Sequence, residues 1–204
     1  MDYITRIMAN ARTRLTGVVD DALRMGLFEA VDEFCRETDI WQEDIAFDTV
    51  TYTPDLVYDL VPTEGTILRL IALKVTGQTG SLNGTMRVPG ELKISSMLNA
   101  DVNVTATVSL SPIDPVEVGS EFPVIDAWIW QRHFTALTDG LIMKMASQVD
   151  KPYTSGTLVE YHGRRFRNAI GVARADNIKA NLADGQAWQF PDFAAQRNSS
   201  TQVT

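Results

Sequence analysis

Residues 102–110, VNVTATVSL, decide how the rest of the chain is read. Val102, Val104, Ala106, Val108 and Leu110 fall on one side, and Asn103, Thr105, Thr107 and Ser109 on the other. Such an alternation suits a half-buried strand, where successive side chains point to opposite faces. Upstream, TILRLIALKV, GTMRV and FDTVTYTPDLVYDLV are also strand-like runs rich in β-branched residues. Turn-formers separate them at Pro62–Gly65, Gly77–Gly80, Asn83–Gly84 and Pro89–Gly90, and Asn-Gly is a strong hairpin signal. Residues 47–121 are therefore expected to form five or six short strands, an inserted antiparallel sheet or sandwich.

On either side the period changes. Val19, Leu23, Leu27, Val31 and Phe34 recur at steps of three and four, one apolar stripe of a helix. Thr16 or Gly17 marks a start or a break, with Asp20 and Asp21 well placed against the dipole of a new first turn. The pattern predicts a short helix over about 2–14 and a longer one over about 17–38. From Pro123, PVIDAWIWQRHFTALTDGLIMKMASQ carries a broad apolar face until Lys-Pro-Tyr at 151–153, since the residue before a proline is pushed out of helical geometry. A last helix is expected over about 154–184, stopping near Gly185. The expected fold is α+β: an antiparallel-type bundle of about three to four helices, with N-terminal helices in 1–46, the β domain inserted at 47–121, C-terminal helices in 122–185, and an extended tail over 186–204.

Composition narrows the function. The chain has 204 residues, is 45% hydrophobic and 22% charged, and carries a formal net charge of −8. That is ordinary globular composition, and the acid excess argues against a general nucleic-acid binder. No apolar run reaches the length of a membrane span, and MDYITRIMANARTRL lacks the apolar core of a signal peptide. With the single Cys35, which has no partner for an internal disulfide, this leads to the expectation of a soluble protein made in the cytoplasm.

Charge is unevenly distributed. Residues 29–48 hold eight acids (Glu29, Asp32, Glu33, Glu37, Asp39, Glu43, Asp44, Asp48) against Arg36 alone, whereas 161–182 hold Arg164, Arg165, Arg167, Arg174 and Lys179 against Asp176. On a helical wheel Phe166, Ile170, Ala173 and Asn177 make a largely apolar seam, and Arg164, Arg167 and Arg174 a guanidinium ridge beside it. The ridge is either a solvated amphipathic face or a set of paired contacts, and arginine favours the second through its two-pronged geometry. The acids are likewise a solvated face or a contact surface, in the same subunit or the next. Near the end, Trp188, Phe190 and Phe193 surround Pro191; these aromatics either fold back on their own domain or anchor a partner.

Signals for chemistry are scarce. There is no CxxC, HExxH, calcium-loop order or phosphate loop, so no metal or cofactor is expected. Cys35, in EFCRE, reads as a buried thiol, and His133, between Trp130 and Phe134, as a structural or interfacial ring. The expectation is that the chain is not an enzyme; a cysteine hydrolase using Cys35 with His133 or His162 is the weak competitor.

Several blocks resemble a known family. DDALRMGLFEAVDEFCRETDIWQEDI at 20–45, MRVPGEL at 86–92, and KPYTSGTLVEYHGRRFRNAIGVAR at 151–174 followed by GQAWQFP resemble the head-to-tail adaptor (connector or gatekeeper) proteins of tailed bacteriophages, of the short-tailed type. The resemblance implies a virion protein at the head–tail junction, a ring commonly of twelve subunits beneath the portal protein. Such a ring extends the DNA channel and docks the tail (nozzle or tail-tube) protein. DNA passes through without specific recognition, and no membrane is involved. By the same resemblance Trp188, Phe190, Pro191 and Phe193 would dock on the portal. Arg164, Arg165, Arg167 and Arg174 would meet an acidic neighbour around Asp32, Glu33 and Glu37. The alternative is a nucleic-acid-binding accessory protein using the basic helix 161–182.

Overall fold

The computed structural model describes residues 2–49, 56–76, 81–95, 101–115, 117, 119–120 and 122–181. Among these, five helices and six strands give a mixed α+β fold with small antiparallel sheets. In chain order they are α1 (Tyr3–Arg12), α2 (Asp20–Thr38), β1 (Gln42–Asp48), β2 (Val57–Asp59), β3 (Thr66–Val75), β4 (Gly84–Val88), β5 (Glu91–Ile94), β6 (Asn103–Ser111), α3 (Ala127–Arg132), α4 (Phe134–Ala146) and α5 (Gly156–Asn181).

The alternating stretch forms β6, the central strand of a three-stranded sheet ordered β1-β6-β3. Its apolar set, Val104, Ala106, Val108 and Leu110, is buried. On the other side the Thr107 hydroxyl donates to Asp44 Oδ1 at 2.6 Å. β1 pairs with β6 from Gln42↔Ser109 to Asp48↔Asn103, so strand pairing starts ahead of the change in sequence character at residue 47. β3 pairs along the other edge with two register shifts, after Ile67 and after Leu70.

A second sheet, β2-β5-β4, corrects one turn assignment. Asn83-Gly84 is not a hairpin: Asn83 leads into β4, its carbonyl accepts from Ser95 N–H at 2.8 Å, and Gly84 pairs with Ile94. The reversal lies at Pro89–Gly90, where Gly90 adopts φ +89°, a left-handed conformation that costs glycine little. β5 itself, ELKI, is too short to stand out by alternation, yet its Leu92 and Ile94 are buried.

The helical part is built on α2, α4 and α5. Leu23, Leu27, Val31 and Phe34 of α2 are fully buried, together with Leu137, Leu141 and Met145 of α4 and Phe166 of α5. Gly140 sets how close the three helices come: a Cβ there would lie 2.8 Å from the Phe166 ring and 3.1 Å from Ala30 Cβ. The predicted helix from Pro123 is corrected in two ways, starting at Ala127 and being interrupted at His133 (φ −108°, ψ 18°). Helical bonding resumes one residue later, Leu137 N–H to His133 O, so the apolar spacing runs on across the break and periodicity does not register it.

The α2 C-terminus joins helices to sheet. Asp39 closes α2 in the left-handed region (φ 51°). The Asn177 amide of α5 donates to Thr38 O at 3.0 Å and Asp39 O at 2.8 Å, satisfying carbonyls that a helix end leaves free. Arg69 of β3 donates to Arg36 O at 2.7 Å and lies 2.9 Å from Asp39 Oδ1. The Ser111 hydroxyl at the end of β6 donates to Asp32 Oδ1 at 2.6 Å. No helix among the described residues is long and apolar enough to cross a membrane.

Candidate functional site: the two faces of the last helix

α5 has 26 residues, roughly 39 Å at 1.5 Å per residue. Its inner face puts His162, Gly163, Phe166 and Ala173 into the core, and the Phe166 ring lies 6.2 Å from that of Phe34. Asn177 continues this line to the α2 cap described above.

The arginines divide between the faces. Arg164 stands outward and pairs with Glu160 one turn earlier at 3.0 Å, both side chains about three-quarters exposed. Arg167 and Arg174 are exposed and form no ion pair among the described residues. Arg165 turns toward α4 instead: its Nε donates to Asp139 Oδ2 at 2.9 Å and its Nη1 to the Tyr161 hydroxyl at 2.9 Å. The Tyr161 hydrogen bond first, and the Asp139 carboxylate second, hold the guanidinium proton more firmly than water would.

Asp139 is the centre of this arrangement. It sits on α4 and is 5% exposed, and its other oxygen lies 2.6 Å from His162 Nδ1. A buried carboxylate needs such partners, because charge removed from water is costly unless paired and hydrogen-bonded. With Nδ1 on Asp139, His162 Nε2 is left buried without a hydrogen-bond partner among the described residues. Sequence reasoning missed Asp139. The signal was present: one acid inside the apolar run ALTDGLIM, residues 136–143.

The acids expected to receive the arginine ridge are employed locally where they pair at all. Asp32 binds Arg36 at 2.8 Å and also accepts from Ser111, and Glu33 binds Lys144 of α4 at 2.6 Å. Glu29 and Glu37 are exposed and form no ion pair among the described residues. Within this chain no ion pair among the described residues joins Arg164, Arg165, Arg167 or Arg174 to Asp32, Glu33 or Glu37. Trp188, Phe190, Pro191 and Phe193 lie outside the described residues.

Of the other reactive side chains, Cys35 is enclosed and His133 is partly buried. Cys35 is fully buried, and burial first, with Asp32 adding to it, pushes its thiol up to about 12. A thiol held in that form is a poor nucleophile at neutral pH. The His133 ring lies tilted against that of Phe34, centroids 4.9 Å apart, and meets the edge of Trp128, and burial lowers its proton affinity. No cluster of potential metal ligands occurs among the described residues. In comparisons with known proteins, no family model matches the chain and no curated protein matches it.

Proposed function

We propose that the chain is a structural protein of the head-to-tail junction of a tailed bacteriophage. It would be one subunit of an adaptor ring that binds beneath the portal protein, extends the DNA channel and docks the tail. One observation carries most of the weight: charge of both signs is left unpaired on separate faces of one chain. Arg167 and Arg174 point outward from α5, and Glu29 and Glu37 outward from α2. Complementary patches of this kind orient association between copies or partners. The sequence blocks that resemble adaptor proteins, two of which form α2 and α5, support the same reading.

In this reading α1, α2, α4 and α5 act as a helical bundle, the two sheets as its inserted β domain, and residues 186–204 as a tail whose Trp188, Phe190, Pro191 and Phe193 anchor on the portal. Arg164, Arg167 and Arg174 contact an acidic neighbour. The chain performs no catalytic turnover, and its acidic character lets DNA pass without adhering, since like charge repels phosphate. A second reading, a nucleic-acid-binding accessory protein, draws on the basic helix 161–182. It requires DNA affinity that falls steeply with salt and is lost when Arg164, Arg165 and Arg167 become alanine.

Sedimentation velocity tests the proposal, using the full chain and a chain ending at Gly185, each alone and mixed with the portal ring of the same virus. Co-sedimentation of the full chain in a fixed multiple, lost on truncation, is the expected result. Failure of both forms to bind the portal overturns it, and salt-sensitive DNA binding in their place would select the second reading.

A further inference from the structure

The Asp139 centre borders a pocket of about 270 Å³ at the junction of α1, α4 and α5. We infer that this pocket is a binding site for a compact phosphate monoester, a property independent of the adaptor reading.

The argument begins with charge. In a chain of net charge −8, the pocket is lined by two arginines, Arg14 and Arg165, and one carboxylate, Asp139. That carboxylate is already occupied on both oxygens, by His162 and by Arg165 Nε. The same contact fixes the Arg165 guanidinium, and the Tyr161 hydroxyl holds it from a second side. Its Nη2 group takes no partner among the described residues, and Arg165 is one of the residues that line the cavity. Arg14 also forms no ion pair among the described residues. Restraining one guanidinium in advance lowers the entropy that an anion must overcome to be held.

The donors also have a shape. Arg14 and the Asn10 amide come from the α1 end, the Thr135 hydroxyl from α4, and Arg165 with the Tyr161 hydroxyl from α5. A carboxylate is planar and is best met by two parallel donors in its plane. Donors arriving from three helices fit a tetrahedral group, which offers acceptor oxygens in several directions. Phe134 and Ile142 add an apolar wall, which bare phosphate would leave unused and a small organic ester would cover. The volume lies just below the usual range for ligand pockets, so the organic part is small.

The test uses the full-length chain, labelled for NMR, and two probes, inorganic phosphate and phenyl phosphate, exchanged against chloride at constant ionic strength. Saturable shifts are expected at the amides of residues 10–14, 134–139 and 161–165, at lower concentration for phenyl phosphate than for phosphate. Arg14→Gln, an exposed position whose change leaves the core intact, should weaken both by about tenfold, the scale of one charge-assisted contact. Arg174→Gln, on the same helix as Arg165 but outside the pocket, should change neither. Shifts that never saturate, or that persist unaltered in Arg14→Gln, overturn the inference. So does an equal loss in Arg174→Gln, which would mean that the anion reads the basic helix as a whole. Acetate binding as tightly as phosphate overturns it as well, by making the pocket a carboxylate site.

Discussion

Arg164 and Arg165 are neighbours in the chain, yet they belong to different environments. Arg164 lies on the outward face of α5 against Glu160, with both groups in water. Arg165 reaches to α4 and matches the charge of the buried Asp139, which His162 holds from the other side. The outward pair sits in high dielectric, is screened by salt and contributes little. The inward group is needed once Asp139 has left water, because a buried charge without a partner is strongly destabilising. Composition alone makes the two arginines equal; burial of the acceptor separates them.

The largest test of this contrast is on the inner face. Phe166→Ala removes a fully buried ring that touches Phe34 and lies over Gly140, and should lower unfolding stability by about 3–5 kcal/mol in a denaturant titration. A loss below 1 kcal/mol would mean that α5 does not seal the core. Next comes Asp139→Ala, which strands the buried His162 ring and should cost about 1–3 kcal/mol. If that variant proved as stable as the parent protein, the division between inward and outward charge would fail.

Cys35 extends the inner-face logic to α2. Its thiol is raised from 9.0 to about 12 in the fold, so above pH 9 the unfolded chain loses a proton that the folded chain keeps. The thiol's contribution is complete below pH 9 and is lost as pH rises toward 12, by about 1.4 kcal/mol per pH unit. Comparing the parent with Cys35→Ala between pH 8 and 11 isolates that slope, because the other titrating groups are common to both. In native buffer at pH 8 a thiol reagent should not label Cys35, and in denaturant it should label it fully. Rapid native labelling would revive a reactive-cysteine role.

The smallest effect is expected outside. Glu160→Ala, which removes the partner of Arg164, should change stability by less than about 1 kcal/mol, and less still at high salt. Arg167→Ala should be within about 0.5 kcal/mol of the parent while weakening portal association if the adaptor proposal holds. A variant that is neutral in stability and also neutral in association would remove Arg167 from the contact surface.

Much of the architecture is legible in the sequence. Period-two alternation located β6 and the stripe from Val19 to Phe34 located α2, because each element buries one face and its spacing records which one, while runs rich in β-branched residues located β3 and β4. β5 was not legible: four residues carry too few repeats of any period, and its Leu92 and Ile94 acquire meaning only through pairing with β2 and β4. Asn83-Gly84 misled because a turn-forming pair states a local preference, whereas the ladder to Ile94 and Ser95 is made by residues about a dozen positions away.

The candidate site divides in the same manner. The sequence by itself determined that one helix would be basic, that residues 29–48 would be acidic, and that a β segment would interrupt two helical regions, since charge and periodicity are properties of the chain order. Tertiary structure alone decided that Arg165 faces a buried acid 26 positions earlier, that Asp32 is met by Ser111 and Glu33 by Lys144, and that Arg14 comes from the far end of the chain to share a pocket with Arg165. The physical reason is range. Helix and strand patterns follow from neighbours a few residues apart, but the partner of a buried charge is whichever group the packing of distant elements brings within hydrogen-bonding distance of it.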